Sequence, residues 1–435
     1  MFTIGRSLYT AASAALAVFL CAASSGAGEL NIRELVEEAA KSNLYDLPKA
    51  VARDTTKDWT IMVYLNGKND IEKDAVSAFN LMESVGSSDN VNVVAELGRR
   101  RGQKEDSRTW AGSKRYLVTK DDDFKTISSP VKQELPNADM GDYRHVEEFV
   151  TWAKREYPAR RYMLIVWNHG YGWMDPKGPQ FKAISSDFET GHFIRNTELG
   201  TMLRDIGGVD VFGMDACLMQ MLEVDYEIYK YAPVIVASEE VSYRYGFNYS
   251  FLSALQQNPS ASPEELASYI VDSYATFYKV GMGFPVTLSA VRSSSLDGLN
   301  ARLNAWVDAA MASKDEDAMR AARKGVLRFT SRQTYADLHH FVSLVSANTQ
   351  SQELIQKGSA LMTYIDDMMV LRNGVAKNNN PKFSNAKGIS VTIPVVGQSP
   401  ADPYGDAASG NKYGDLAFAK ATKWPQFIRW LVSIR

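Results

Sequence analysis

Two residues that follow predicted strands have side chains suited to nucleophilic catalysis. His169 comes just after the apolar run at residues 162–167, and Cys217 comes just after the run at residues 209–214. The carboxyl ends of parallel strands meet along one edge of a sheet, so residues 48 positions apart in the chain can meet in space. An imidazole beside a thiol favours the thiolate, which is the nucleophilic form of cysteine. The alternative for either residue alone is a capping or buried structural role.

The predicted surroundings of Cys217 would stabilise negative charge. The spacing of apolar residues predicts a helix over residues 217–231, which would place Cys217 at the helix N-terminus. Unpaired N–H groups at that end of a helix favour an anion, and the same groups can bind the oxyanion of an acyl intermediate.

The other histidines do not suggest a second site. His145, His339 and His340 lie within helical patterns, and His192 lies in a turn. No pair of candidate ligands has the spacing of a metal site, and no glycine-rich phosphate-binding motif follows a strand. The sequence therefore predicts neither a metal centre nor a nucleotide site.

Composition excludes several classes of protein. The chain has 435 residues, enough for two or three domains of roughly 150 residues or for one large elaborated domain. Lys and Arg number 48 and Asp and Glu 51, and a net charge of −3 is too balanced for an electrostatic nucleic-acid binder. Two cysteines and five histidines exclude a disulfide scaffold and a Cys-rich zinc site.

Residues 1–27 have the pattern of a secretory signal peptide, with Arg6 before a short apolar run. Cys21 ends this run as in a lipoprotein signal, but Leu20 stands where such a signal needs a small residue. Cleavage after residue 27 would leave Cys217 as the one thiol, either a buried hydrophobe or a free reactive group. We therefore predict export, to the periplasm or out of the cell. No later segment reaches about eighteen apolar residues, so we predict no stable membrane insertion.

The order of predicted elements indicates an α/β fold with a mostly parallel sheet. Short apolar strands alternate with helices, which is typical of a sheet covered on both faces. We expect an N-terminal extension at residues 28–57, a catalytic domain at 58–296, and a mainly helical region with one late strand at 297–435. The predicted strands are residues 59–65, 91–97, 110–119, 162–167, 209–214, 234–237, 286–291 and 388–394.

The two strand ends resemble the clostripain family of cysteine endopeptidases. The resemblance rests on residues 162–173 (YMLIVWNHGYGW) and 209–219 (VDVFGMDACLM), and it extends to residues 59–69, 234–240 and 417–424. It implies a caspase-like α/β/α sandwich from about residue 58 to the C-terminus. The spacing of 48 between His169 and Cys217 also agrees with that of caspases.

The resemblance assigns roles to individual residues. It implies that Cys217 is the nucleophile and His169 the general acid and base, working as a dyad that requires no third acidic residue. The backbone N–H groups of Gly170 and Cys217 would form the oxyanion hole. The family cleaves after Arg or Lys, and Asp215 matches its position for binding the substrate cation. Glu239 and Glu240 follow the strand predicted at residues 234–237, and either is a further candidate for sharing that role, with Glu239 preferred.

The resemblance also implies self-processing between the histidine and cysteine motifs. Lys182 is the preferred cleavage position, because small Ala183 follows it; the alternative is an uncut surface loop. Some family members need calcium, and the acidic run at residues 121–123 can attract a cation, although solvation is the simpler interpretation. We predict no cofactor for the reaction itself.

Two other functions compete with a peptidase. One is a secreted binding protein with a silent site on the same scaffold, which would be expected to lose His169 or Cys217, yet both are present. The other is a cysteine hydrolase acting on non-peptide amides, which the resemblance disfavours. The predicted partners are protein or peptide substrates with Arg or Lys before the cleaved bond.

Overall fold

A computed structural model describes residues 56–101, 110–175, 183–329, 332–376, 383–407 and 409–434. The predicted signal peptide, nearly all of the predicted extension, and Lys182 lie outside the described residues. Among the described residues, no helix is both long and apolar enough to cross a membrane.

The described part of the chain contains twelve strands and twelve α-helices. The strands are β1 (Lys57–Gly67), β2 (Val91–Arg99), β3 (Gly112–Leu117), β4 (Val131–Leu135), β5 (Ala159–Trp167), β6 (Val211–Asp215), β7 (Val234–Ala237), β8 (Val286–Arg292), β9 (Arg328–Phe329), β10 (Arg332–Asp337), β11 (Val370–Ala376) and β12 (Ser390–Thr392). The helices are α1 (Glu72–Glu83), α2 (Tyr143–Glu156), α3 (Asn196–Asp205), α4 (Leu222–Ile228), α5 (Phe251–Gln257), α6 (Pro263–Thr276), α7 (Leu296–Ser313), α8 (Glu316–Gly325), α9 (Leu338–Asn348), α10 (Gln352–Tyr364), α11 (Ala417–Ala421) and α12 (Trp424–Ser433).

Nine strands form the main sheet, in the order β11-β8-β7-β6-β5-β1-β2-β3-β4. The five central strands, from β7 to β2, are parallel. Antiparallel pairs extend the sheet at both edges, with β3 and β4 on one side and β8 and β11 on the other. The predicted mostly parallel α/β sheet is therefore confirmed.

Alternation along the central strands builds a core on each face of the sheet. In β1, Ile61, Val63 and Leu65 join the cluster that packs against α1, α5 and α6. Met62 and Tyr64 point to the opposite face, which is covered by α2, α3, α4 and the C-terminal helices. Both faces are buried beneath other elements, which explains why the strand sequences are continuous apolar runs rather than alternations of apolar and polar residues. The result is the expected α/β/α sandwich.

The region after residue 296 is mainly helical, as predicted, but it holds more strands than the one expected. Late strand β12 falls within predicted residues 388–394 and pairs with β10, which in turn pairs with β9. Strand β11 joins the main sheet through an antiparallel pairing with β8. Strand β10 comes directly before α9, and β11 comes shortly after α10, so these two strands interrupt the expected helical region.

Candidate active site

The carboxyl ends of β5 and β6 lie side by side. Trp167 is paired with Asp215, and the Asn168 N–H donates to the Asp215 carbonyl at 3.3 Å. The chain continues to Gly170 after the end of β5 and to Cys217 after the end of β6. A Cβ atom at residue 170 would lie 2.2 Å from the Cys217 carbonyl oxygen and 2.9 Å from its nitrogen. Only glycine permits this approach, so the two segments are in backbone contact.

Cys217 is a partly buried thiol in a loop. Its Sγ lies 3.9 Å from the carbonyl oxygen of Ser242. The predicted helix start at residue 217 is wrong, because α4 begins only at Leu222. Backbone groups between Cys217 and α4 instead form hydrogen bonds to distant parts of the chain. The Gln220 N–H donates to the Ser238 carbonyl, and the Gln220 carbonyl accepts from the Ser390 N–H. The helix N-terminus therefore does not account for charge stabilisation at Cys217.

His169 is nearly buried and contacts a carboxylate that is not among the predicted site residues. Its Nε2 lies 2.7 Å from Oδ1 of Asp70, whose side chain is 48% exposed. The His169 N–H donates to Oδ1 of Asn168 at 2.7 Å. Asp70 follows the end of β1, and β1 is the neighbour of β5 in the sheet. Asp70 could therefore have been proposed from the sequence, as a carboxylate that follows a strand whose end meets the end of β5.

The segment after His169 is anchored by the C-terminal region. The Tyr335 hydroxyl donates to the Tyr171 carbonyl at 2.9 Å. The indole N–H of Trp173 donates to Oγ1 of Thr392 at 2.8 Å, and Asn411 donates to the Trp173 carbonyl at 2.7 Å. The C-terminal region thus helps to fix the loop that carries His169.

Asp215 is buried directly beneath the site. Its Oδ2 accepts from the Phe247 N–H at 2.9 Å and from the Tyr249 hydroxyl at 3.3 Å. Its Oδ1 has no hydrogen-bond partner among the described residues. Burial raises the pKa of Asp215 to about 7, and the two hydrogen bonds oppose this only in part.

Gly246 sets the distance between Asp215 and the loop above it. Its φ is +50°, a conformation that favours glycine. A Cβ atom at residue 246 would lie 2.2 Å from the Asp215 carboxylate. Glycine at this position is therefore required both by the backbone and by the space that the carboxylate occupies.

The structure does not bring Glu239 to Asp215. Glu239 is buried with the C-terminal layer, where its Oε2 accepts from the Gly388 N–H at 3.1 Å. Burial and the neighbouring carboxyl group of Asp337 hold the pKa of Glu239 well above its usual range. The expectation that Glu239 helps to bind the substrate cation is not retained, because its carboxyl group is engaged on the opposite side of the sheet.

The acidic run at residues 121–123 forms local turns. Oδ1 of Asp121 accepts from the Asp123 N–H, and Oδ1 of Asp123 accepts from the Lys125 N–H, both at 2.9 Å. Across the described ranges, no three His, Cys, Asp or Glu side chains are arranged to hold a metal ion.

Three of the other histidines contact carboxylates in pairs of their own. His145 contacts Glu96, His192 contacts Asp139, and His339 contacts Asp366. His340 accepts from the Leu327 N–H at 2.9 Å.

Comparison with known sequences gives one family. The sequence profile of the clostripain family matches residues 63–430. Clostripain from Hathewaya histolytica is 26% identical over 247 residues, which make up 50% of this chain. The match covers 44% of that protein, so the chain spans less than half of the length of this relative.

Comparison with solved structures gives the same fold. An inactive zymogen C11 protease from Parabacteroides distasonis matches with a TM-score of 0.62 and 18% identity, covering 85% of this chain and 99% of that one. A secreted C11 cysteine protease from Bacteroides thetaiotaomicron, in complex with an irreversible peptide inhibitor, matches with a TM-score of 0.60 and 19% identity. The shares covered are again 85% and 99%. The described chain therefore has the fold of these C11 proteases.

Proposed function

Because the chain belongs to the clostripain family of cysteine peptidases, we propose that it is an endopeptidase that hydrolyses peptide bonds after Arg or Lys. In this proposal Cys217 is the nucleophile and His169 is the general acid and base. The observation that supports it most directly is the backbone contact between Gly170 and Cys217, which puts the two motifs together at one edge of the sheet.

The reaction is an acyl transfer in two stages. The Cys217 thiolate attacks the carbonyl carbon of the peptide, and the carbonyl oxygen becomes an oxyanion bound by the N–H groups of Gly170 and Cys217. The C–N bond then breaks, and His169 gives its proton to the leaving amine. In the second stage His169 takes a proton from water, which attacks the thioester and releases the carboxylic acid and the thiol. No step requires a metal or an organic cofactor.

The absence of a side chain at residue 170 supports the proposed oxyanion hole. Any Cβ there would lie 2.9 Å from the Cys217 nitrogen, whose N–H is one of the two proposed donors. Glycine lets the backbone of residue 170 approach this donor closely, as two N–H groups that bind one oxyanion must. The oxyanion hole remains our proposal for these two residues.

Asp215 is the proposed partner of the substrate's Arg or Lys side chain. Its Oδ1 has no hydrogen-bond partner among the described residues, which leaves one carboxylate oxygen for a guanidinium or ammonium group. A bound cation would lower the raised pKa of Asp215 and hold the group ionised. Substrate binding and ionisation of Asp215 would therefore favour each other.

Self-processing after Lys182 remains a proposal that rests on the sequence and the family. Lys182 lies outside the described residues, and Ala183, which follows it, is buried and donates its N–H to Oγ of Ser186 at 3.0 Å. On a denaturing gel, purified wild type should run as two fragments and Cys217→Ala as one. An intact wild-type chain would contradict the proposal, and cleavage at another position would show that Lys182 is not the processing site.

We also propose export, to the periplasm or out of the cell, through the signal at residues 1–27. The matched protease from Bacteroides thetaiotaomicron is described as secreted, which supports export of this chain. Assays with calcium and with a chelator would test whether activity depends on calcium, which the sequence left open.

Fluorogenic peptides that differ only in the residue before the scissile bond test the main proposal. We expect turnover with Arg and Lys but not with Asp or Asn, inhibition by iodoacetamide, and no turnover by Cys217→Ala. Turnover of the Asp or Asn peptides alone would overturn the specificity while leaving a peptidase. A folded, processed wild type that cleaves none of them would favour the silent binding protein, and turnover of non-peptide amides alone would favour an amidohydrolase.

A further inference from the structure

We propose that Asp70 is a positioning residue for His169, so that the site is supported by a carboxylate in addition to the Cys217 and His169 pair. This inference rests on the proposed function.

The contact engages one particular nitrogen of the imidazole. Nε2 of His169 lies 2.7 Å from Oδ1 of Asp70. A carboxylate that accepts from Nε2–H fixes the tautomer and the orientation of the ring, and it stabilises the imidazolium form. Proton exchange with the Cys217 thiol and with the leaving amine then falls to Nδ1. The proton thus leaves the thiol, resides on Nδ1, and passes to the amine nitrogen as the C–N bond breaks.

The residues that precede Asp70 and His169 both donate a hydrogen bond to the same backbone carbonyl oxygen, that of Asn66. Asn69 donates from Nδ2 to the carbonyl oxygens of Asn66 at 3.1 Å and Ser186 at 2.9 Å. Asn168 donates from Nδ2 to the same Asn66 carbonyl at 2.6 Å. Asn69 immediately precedes Asp70, and Asn168 immediately precedes His169. A single carbonyl oxygen therefore fixes the backbone on both sides of the contact.

A second carboxylate near His169 provides a matched comparison. Asp74 lies in the first turn of α1, and the charge of His169 lowers its pKa, although burial has the larger, opposite effect. The Asp74 carboxylate binds Nε of Arg244 at 3.2 Å, and Lys73 is a further charge beside it. The charged or titratable groups of this part of the site are thus Asp70, Asp74, Lys73, Arg244 and Cys217.

The experiment compares Asp70→Asn with Asp74→Asn in the full-length chain. We expect Asp70→Asn to lower kcat on an Arg or Lys peptide by about 10- to 100-fold with KM nearly unchanged, since loss of general acid–base positioning acts on the chemical step. The alkaline limb of kcat/KM should move to lower pH, because the imidazolium loses its carboxylate partner. Asp74→Asn should change kcat less than threefold and move the limb less than Asp70→Asn does, because Asp74 is paired with Arg244.

The rate at which iodoacetamide alkylates Cys217 separates this inference from the proposed function. Wild type should react faster at pH 6 than His169→Ala, because the imidazolium maintains the thiolate. Equal rates would contradict the pairing of Cys217 with His169 itself. Different rates, together with an Asp70→Asn variant that matches Asp74→Asn in kcat and pH profile, would overturn the role of Asp70 alone.

A conservative variant covers the case in which Asp70→Asn fails to fold. Asp70→Glu retains the charge, so we expect it to keep the wild-type position of the alkaline limb even where the longer side chain lowers kcat. An Asp70→Glu variant whose limb lies below that of wild type would overturn the inference.

Discussion

Two buried carboxyl groups at the ends of neighbouring strands have different surroundings. Asp215, the last residue of β6, is held by the Phe247 N–H and the Tyr249 hydroxyl, and one of its oxygens lacks a hydrogen-bond partner among the described residues. Glu239 follows β7; its Oε2 accepts from the Gly388 N–H beside the carboxyl group of Asp337, and its Oε1 also lacks a hydrogen-bond partner among the described residues. The first group is our proposed partner for a substrate cation, and the second joins the sheet to the C-terminal layer.

The face of the sheet decides between these two roles. Side chains alternate along a strand, so residues near two adjacent strand ends can point to opposite layers. Gly213 contacts Phe247 on one face, and Ala237 belongs to the cluster on the other. Proximity to a strand end is therefore insufficient to assign a residue to the site; the register of the strand must also be known.

The largest expected effect that distinguishes the two groups is on cleavage. Asp215→Asn should lower kcat/KM for Arg and Lys peptides by about 10²- to 10³-fold, since removing one partner of a buried charge pair costs roughly 2–5 kcal/mol. The alkylation rate of Cys217 should stay at the wild-type value. A parallel loss of alkylation would show that Asp215 maintains the whole site rather than specificity.

The next effect is on the pH dependence of stability. The pKa of Asp215 is raised from 3.8 to about 7, so the stability present at low pH is lost as the pH rises through this range. Urea unfolding in a Cys217→Ala background should show Asp215→Asn gaining stability over its parent between pH 4 and 7. The gain should reach up to about 4 kcal/mol, at ~1.4 kcal/mol per pKa unit. A constant difference across pH would contradict burial of an ionisable Asp215.

A smaller effect should come from displacing the Asp215 carboxylate without removing it. Gly246→Ala adds a Cβ that would lie 2.2 Å from the carboxylate, at a φ of +50°. We expect about tenfold slower Arg cleavage and a loss of roughly 1–3 kcal/mol of stability. Gly207→Ala is the matched control, since Gly207 has a φ of +74° and nothing within 4 Å of the added Cβ. If both variants cleave alike, backbone strain and not Asp215 explains the result.

The smallest effect is expected at Glu239. Glu239→Gln can still accept from the Gly388 N–H, and its amide can donate to Asp337, so cleavage should stay within about twofold of wild type. Because the pKa of Asp337 is raised to about 7, the pair loses stability as the pH rises. Removing one charge should add about 1 kcal/mol at pH 9, measured by urea unfolding. Slowed Arg cleavage would return Glu239 to the substrate pocket.

Prediction from sequence succeeded where the periodicity was strong. The central strands are apolar on both faces, so residues 59–65 and 162–167 were placed within β1 and β5. Strand β4 was missed because its residues are mostly exposed, which leaves no apolar pattern. Strand β11 was missed for a similar reason, as an edge strand whose exposure is uneven.

Only the site residues that closely follow apolar strands and match a family motif were predicted from the sequence. His169 and Cys217 follow apolar runs, and the register of β5 and β6 brings their segments together. Asp70 belongs to a polar turn after β1, and its contact with His169 depends on the neighbouring position of β1 and β5. The start of α4 was misplaced because the loop at Cys217 forms hydrogen bonds to distant segments, which local spacing does not register.

The hydrogen bond between Trp173 and Thr392 joins residues 219 positions apart in the chain. During synthesis from the N-terminus, the strands that carry His169 and Cys217 leave the ribosome well before Thr392 does. Until the last tenth of the chain has been made, the segment after His169 lacks its anchors at Thr392 and Asn411. The order of translation thus delays completion of the site until the chain is nearly finished.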